Sequence, residues 1–445
     1  MVTAGEALLT MNSSQNRRRA GIASMIGTTI EWYDFQIYGL SAAVAFDKVF
    51  FPEMDSATGT IASFAIFASG FFARPLGGVI FGHFGDRVGR RNVLLITLIL
   101  MGISTFLVGL IPSYASIGIA APLLLVLMRL LGGIGLGGEW GGAVLLSVEH
   151  APTGKRGFYG SLPQLGSPAG FLLATSVFAI VSAATGDAFG TWGWRIPFLL
   201  SGILVVIGIV IRFAIPETPI FEQQSNDDAA QRKIPIVDLF RTHPKTVLLS
   251  IGSFAVTSGG YYVYATYMVA HGTKDLGIPR NTMLISGIVF SVFGIVGSLL
   301  SGVVSDRIGR RPVFLVMSAF TILFAFPMFW LVHTTEPIAI WVALALGGLS
   351  NGSLYGLMGS LSSEIFHPSV RYTGASIGQQ VSAGLVGGTT PLIVTALVAD
   401  VGQTWPAPLW LVSLALISLV SVLFLPETYR SDPVSTPTKR HHSPV

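Results

Sequence analysis

"GHFGDRVGRR" at residues 82–91 and "GVVSDRIGRR" at residues 302–311 carry Gly, Asp, Arg, Gly, Arg and Arg at one spacing. In this G-x-x-x-D-R-x-G-R-R pattern the glycines, Gly82 and Gly89 or Gly302 and Gly309, permit a tight turn. The charges, Asp86, Arg87, Arg90 and Arg91 or Asp306, Arg307, Arg310 and Arg311, can bridge helix ends across a short loop. Two further landmarks recur. "EHAPTGKRGFYGS" (149–161) matches "EIFHPSVRYTGAS" (364–376), and the same spacing separates Glu149 from Arg156 as Glu364 from Arg371. "PET" stands at 216–218 and again at 426–428. Three landmarks recurring in the same order at a nearly constant offset mark the chain as an internal repeat.

What repeats is a set of membrane spans. The 445 residues are 51% hydrophobic and only 11% charged, with a mean hydropathy of +0.68; soluble domains carry about 25% charge. Apolar runs of about 20 residues recur along the whole length. Twelve spans are predicted, at 20–45, 58–82, 92–111, 119–148, 157–184, 194–215, 245–270, 282–303, 312–332, 337–362, 372–399 and 406–425. The fold class is therefore an all-α membrane protein: twelve transmembrane helices in two six-helix pseudo-symmetric bundles, whose repeat axis lies along the membrane normal. The expected organisation is a tail at 1–19, a bundle at 20–215, a linker at 216–244, a second bundle at 245–428 and a tail at 429–445. The run after Arg17, Arg18 and Arg19 is long and no small-residue cleavage site follows it, which argues for a first helix over a signal peptide.

Charge asymmetry sets the orientation. With the N-terminus inside, twenty of the 26 basic residues fall on the cytoplasmic side, and only Lys48, Arg195, Lys274 and Arg280 fall outside. Both termini are then cytoplasmic, in an inner membrane of bacterial type. The pI near 9.3 reflects those loops and not nucleic-acid binding. Cysteine is absent, which excludes disulfides, Cys-ligated metal and a thiol nucleophile. His441 and His442 lie in the polar tail and His83 in a loop, so the histidines form no metal set. No Walker A pattern occurs, so ATP is not the energy source on this chain.

At the repeated loop the chain resembles the major facilitator superfamily, whose signature this is, and the resemblance covers nearly its whole length. It implies that the loop charges latch the cytoplasmic side when the cavity opens outward. Partners at the ends of helices 4 and 10, matched by Glu149 with Arg156 and Glu364 with Arg371, complete the latch. All of these are carried as gating residues.

Ionisable groups within spans are Glu31, Asp34, Arg74, Arg129 and Glu139. Each costs about 2.5–3.5 kcal/mol at a helix centre, so an idle one is improbable. At about 1.5 Å per residue, Glu31 lies roughly 15 Å and Asp34 roughly 20 Å up helix 1; Glu139 lies roughly 15 Å and Arg129 roughly 30 Å above the inner end of helix 4, with Arg74 roughly 12 Å in. Glu31 and Glu139 share the midplane, and Asp34 lies between them and Arg129. The expected proton site is Asp34 with Arg129 as its fixed partner; opening that pair lets Asp34 take a proton. A static ion pair is the alternative. Glu139, in the small-residue stretch "GGIGLGGEWGG", can share a proton with Glu31, pair with Arg74 or stay protonated, and a purely structural role remains open.

"EWYDF…YG" in helix 1, "FFARPLGGVIFGHFGDRVGRR" in helix 2 and "RLLGGIGLGGEWGGAVLLSVE" in helix 4 together resemble the metabolite–proton symporter family. That family includes transporters for shikimate, α-ketoglutarate, citrate and proline/betaine, and the texture here is similar to its shikimate-type members. Under the resemblance the helix 1 proton carboxylate falls at Asp34 and the helix 4 arginine at Arg129.

Tyr261, Tyr264 and Tyr267 recur every third residue of "YYVYATYM" in helix 7, which lines the cavity in the superfamily. Their hydroxyls suit a small polar solute; packing and an outer aromatic belt are the alternative, to which Tyr267 leans. Gln164, Asn351, Tyr355, Gln379 and Gln380 are further polar candidates, and Arg129 can attract a substrate carboxylate. The expectation is a monomeric secondary transporter in the lipid bilayer, without catalytic residues, metal or cofactor. It would couple inward proton flow to uptake of a small carboxylate or zwitterion by alternating access. A uniporter or osmolyte carrier of the same fold is the alternative. A sensor or enzyme finds no catalytic constellation or appended domain, and the short tail from Tyr429 shows no heptads.

Overall fold

The computed structural model describes residues 27–88, 90–136, 144, 147–148, 151–152, 154–214, 235–367 and 370–429, with side chains described at all of these except 78–79, 82–94, 211–214, 235–238 and 372. The N-terminal half comprises α1 (27–44), α2 (Ser56–Val88), α3 (Arg90–Val108) and α4 (Ala120–Gly135), then α5 (Arg156–Gly190) and α6 (Arg195–Ala214). The C-terminal half comprises α7 (Pro244–Lys274), α8 (Arg280–Ile308), α9 (Arg310–His333), α10 (Pro337–Glu364), α11 (Thr373–Val401) and α12 (Pro406–Phe424). Every predicted span meets one of these helices. Among the described residues, eight helices are long and apolar enough to cross a membrane, and α3, α4 and α6 hold shorter apolar stretches.

Local sequence sets the boundaries. Pro244, Pro337 and Pro406 open α7, α10 and α12 at a position where a missing N–H costs nothing. Asp55 precedes α2 and accepts hydrogen bonds from the Thr58 hydroxyl and from the Thr58 and Ala57 amides. Those bonds, the Thr58 hydroxyl first, hold its carboxyl below the usual carboxylate range. Gly309 separates α8 from α9 at φ +106°, a region essentially closed to residues with a side chain. In the segment expected to be linker, a short helix runs Pro235–Thr242. Its Leu239 packs with Val247, Phe366 and Val370, which fixes the end of the linker to the C-terminal bundle.

The repeat extends from the loops into the packing. A Cβ on Gly133 of α4 would strike the Gly70 carbonyl of α2, and one on Gly348 of α10 would strike the Phe290 carbonyl of α8. Gly70 and Phe290 stand at the same offset as the two signature loops, and Gly133 and Gly348 at the same offset as the two Glu–Arg motifs. Gly77 against Ile134 and Gly297 against Leu349 repeat the relation. Small residues let backbones approach where lipid supplies no hydrophobic drive, so the two halves use one crossing twice.

Candidate functional site

A central cavity lies between the halves, with walls from α1, α2, α5, α7, α8, α10 and α11. Its surface is aromatic and polar, through Trp32, Phe71, Tyr261, Tyr262, Phe290 and Tyr355 with Asn351 and Gln379. Arg74 is the only Asp, Glu, Lys, Arg or His among the described lining residues. A second, smaller cavity lies within the N-terminal half and holds Asp34, Tyr38 and Arg129.

The positions differ from sequence expectation in informative ways. Asp34 is 2% exposed, and neither of its oxygens has a hydrogen-bond partner. It lines one cavity with Arg129 but forms no ion pair with it, so the expected salt bridge is not made here. The Arg129 guanidinium lies over the Phe35, Tyr38 and Phe67 rings, 3.8, 4.5 and 4.8 Å from their centroids, while Nε donates to the Phe67 carbonyl at 3.4 Å. Desolvated cation–π contacts are worth about 2 kcal/mol each, enough to offset an insertion cost of about 2.5–3.5 kcal/mol. Arg129 is thus accommodated by rings, and Asp34 by nothing comparable.

Helix 7 is read differently by structure and spacing. Two π-helical segments, Val256–Gly260 and Val263–Tyr267, widen its turns and break the three-residue stripe. Tyr261 and Tyr262 consequently face the cavity. Tyr264 packs instead on Phe290, with ring centroids 5.4 Å apart, and against Gly347 of α10. Tyr267 is buried and stacks on His271 at 5.6 Å, which removes it from an outer belt. Asn351, Tyr355 and Gln379 line the cavity. Gln164, the repeat counterpart of Gln379, is buried beside Gly359 where α5 meets α10. The expectation missed Trp32, Phe71, Tyr262 and Phe290, whose apolar bodies read as ordinary packing.

Bonds cross between the halves at both faces. At the face of the second signature loop, Asp306 accepts from the Gly157 and Phe158 amides at 2.7 and 2.9 Å. That joins the end of α8 to the first turn of α5, where a carboxylate also meets the positive end of the helix dipole. Arg310 donates to Asp306 at 2.8 Å and to Glu364 at 3.3 Å. Glu364 also accepts from the Thr428 hydroxyl, and Glu427 caps the Arg310 and Arg311 amides. Arg371 donates Nε to the Phe366 carbonyl. Arg307 is exposed and Arg156 half-buried. The side chains of Asp86, Arg87, Arg90 and Arg91, with Gly82 and Gly89, and residues Glu139 and Glu149 lie outside what the structure describes. At the far face, Lys274 of α7 meets Asp47, just past α1, at 2.8 Å and donates to Thr60 of α2 at 2.7 Å. Arg280 of α8 donates to Ser182 of α5 at 3.3 Å. Nothing in the sequence pattern singled out that far-face pair.

Comparison with known proteins places this architecture. The chain is 41% identical to the inner membrane metabolite transport protein YhjE of Escherichia coli (strain K12) over 420 residues, 93% of this chain and 95% of that protein. It is 38% identical to the shikimate transporter of the same organism, covering 94% and 97% of the two chains. Identity to the glycine betaine/proline/ectoine/pipecolic acid transporter OusA of Dickeya dadantii (strain 3937) is 36%, over 92% and 83%. The fold superposes on the partially occluded inward open conformation of the xylose transporter XylE from E. coli with a TM-score of 0.71 at 20% identity, over 93% and 99% of the chains. The model of the Major Facilitator Superfamily matches residues 20–388. With cavity, repeat and relatives in agreement, the chain belongs to the Major Facilitator Superfamily, as a multi-pass metabolite transporter of the bacterial inner membrane and not an enzyme.

Proposed function

We propose that this transporter is a proton-coupled symporter that takes up a small organic acid or zwitterionic metabolite by alternating access. It works as a monomer with both termini in the cytoplasm. The observation that carries the reading is Asp34, buried and without a hydrogen-bond partner on either oxygen, in a cavity shared with Arg129. A buried carboxylate without a partner is costly as an anion. Movement of Arg129 onto it would favour the anion. A carboxylate that alternates between those two settings takes a proton on one side and releases it on the other.

The cross-links at the two faces support alternation, since each ties one half to the other through bonds that can break in turn. The names of the relatives, which include a shikimate transporter and a betaine/proline/ectoine carrier, support a small metabolite. The second of them also favours the alternative, an osmolyte carrier without coupling through Asp34.

Uptake into proteoliposomes tests the reading, with shikimate, dicarboxylates, aromatic acids and betaines as substrates under an imposed inward proton gradient. Accumulation should collapse with a protonophore. Asp34→Asn should abolish accumulation while leaving exchange partly intact. Unaltered pH-driven accumulation in that variant removes Asp34 from the mechanism, and protonophore-insensitive uptake selects the uncoupled carrier.

A further inference from the structure

Arg74 lies outside the Asp34 cavity and, among the described residues, is well placed for an anionic ligand. It is 5% exposed, it lines the central cavity, and its Nε has no hydrogen-bond partner. Its guanidinium rests over Phe35 and Phe71, 4.7 Å from each ring centroid, so the rings hold it in position without using its donors. Glu31, Tyr262 and Tyr355 lie within its electrostatic reach, but Glu31 is not among the cavity's lining residues. At the repeat-equivalent position of the opposite wall stands Gly294. Among the described lining residues the cavity is therefore charged on one side alone.

We infer that Arg74 anchors the substrate, and that the substrate is a small cyclic or planar monocarboxylate. The inference rests on the symport reading for the direction of transport, but not for binding. A guanidinium offers a planar fork that takes one carboxylate by two parallel hydrogen bonds. A second carboxylate would find no further cation among the described lining residues and would be buried unpaired, which disfavours dicarboxylates. A zwitterion's cation would find rings but no lining carboxylate, and would share the cavity with a fixed positive charge. Trp32, Tyr261 and Phe290 supply flat apolar walls suited to a ring. The Gln379 Oε1 atom, buried without a partner, offers an acceptor to a ring hydroxyl.

The test compares cyclohexanecarboxylate with its neutral isostere cyclohexanecarboxamide, and with succinate and glycine betaine, on the purified full-length chain. Quenching of Trp32 fluorescence, isolated from the other tryptophans by difference against Trp32→Phe, reports occupancy. The carboxylate should bind about 10–100-fold more tightly than the carboxamide, as expected for a charge-assisted pair. Arg74→Gln should erase that discrimination, and Arg74→Lys should retain part of it. Thermal unfolding of each variant identifies loss of fold, and Arg74→Lys keeps the charge if the glutamine variant does not fold. Equal affinity of the wild type for carboxylate and carboxamide, tighter binding of succinate or betaine, or undiminished discrimination in Arg74→Gln would overturn the assignment. Parallel counterflow and pH-driven uptake of the carboxylate separate the two readings. Arg74-dependent binding without proton-driven accumulation defeats symport and leaves the anchor standing; proton-driven accumulation indifferent to Arg74 does the reverse.

Discussion

The two halves share their packing and differ in the charges set within their spans. Glycine crossings between α2 and α4 recur between α8 and α10 at equivalent positions of the repeat. Under the same alignment Arg74 faces Gly294 and Arg129 corresponds to Leu344. Both halves carry the signature charges in sequence, and in the C-terminal half Asp306, Arg310 and Glu364 meet at a helix end, where each finds partners within 3.3 Å. Packing is kept by the repeat because close helix approach tolerates no side chain. Charge is free to diverge because it acts on ligands and not on the crossing. A buried, paired cluster at a helix end holds a conformation; a buried, unpaired group deep in a span answers to something that arrives there.

Giving the N-terminal half its counterpart's residue breaks that comparison most severely. Arg129→Leu places an apolar side chain among Phe35, Tyr38 and Phe67. The change removes the desolvation cost of the guanidinium together with its ring contacts, so the thermal midpoint should change little. Proton-driven accumulation should nevertheless fall to the level of empty liposomes. Transport that survived this change would make Arg129 a packing residue like Leu344.

Phe35 sharpens the comparison, because both N-terminal guanidiniums lie over its ring, Arg129 at 3.8 Å and Arg74 at 4.7 Å. The ring thereby contacts the cation of the central cavity and the cation of the Asp34 cavity. Phe35→Leu keeps an apolar side chain and removes both cation–π contacts, about 2 kcal/mol each when desolvated. Accumulation ratios should drop several-fold with counterflow largely preserved. Equal losses in both assays would assign Phe35 to general packing.

On the C-terminal side, Asp306→Asn tests the paired cluster. The substitution weakens the bonds to the Gly157 and Phe158 amides and to Arg310; bonds to a charged group are worth about 1.5–3 kcal/mol. The chain contains no cysteine, so Ser360→Cys, at the α5–α10 contact near Gly160, gives a unique label site. Asp306→Asn should raise its maleimide labelling rate about tenfold. An unchanged rate would show that the cluster does not hold that face together.

Much of this was legible from spacing. The twelve spans follow from hydropathy because apolar length is the one requirement a bilayer imposes on every helix. The signature loop located Asp306 and Arg310, and the repeated Glu–Arg motif located Glu364; the structure brings the three together. Three features escaped for physical reasons. The Asp34–Arg129 pair, inferred from helical rise, ignored the aromatic rings on which Arg129 rests instead. The far-face Lys274–Asp47 contact joins residues in opposite halves of the sequence, in segments no local motif connects. The cavity's aromatic walls have the composition of any packed helix face, and only tertiary structure distinguishes them.

The smallest effect concerns helix 7, where regular spacing chose Tyr264 and the π segments chose Tyr262. Tyr264 lies on Phe290 and against Gly347, outside the cavity wall. Tyr264→Phe removes one hydroxyl and leaves that ring contact intact, so ligand affinity and uptake should stay within about twofold, well under the roughly 1.4 kcal/mol of a tenfold change. Tyr262 lines the cavity and sets its ring edge-on to Phe71, with centroids 5.6 Å apart. Tyr262→Ala removes that wall and loosens the ring beneath Arg74, and apparent affinity for a ring carboxylate should fall several-fold. The reverse ranking, with Tyr264→Phe the more damaging, would mean that helix 7 presents its α-helical face to the ligand and that the π segments do not set the working register.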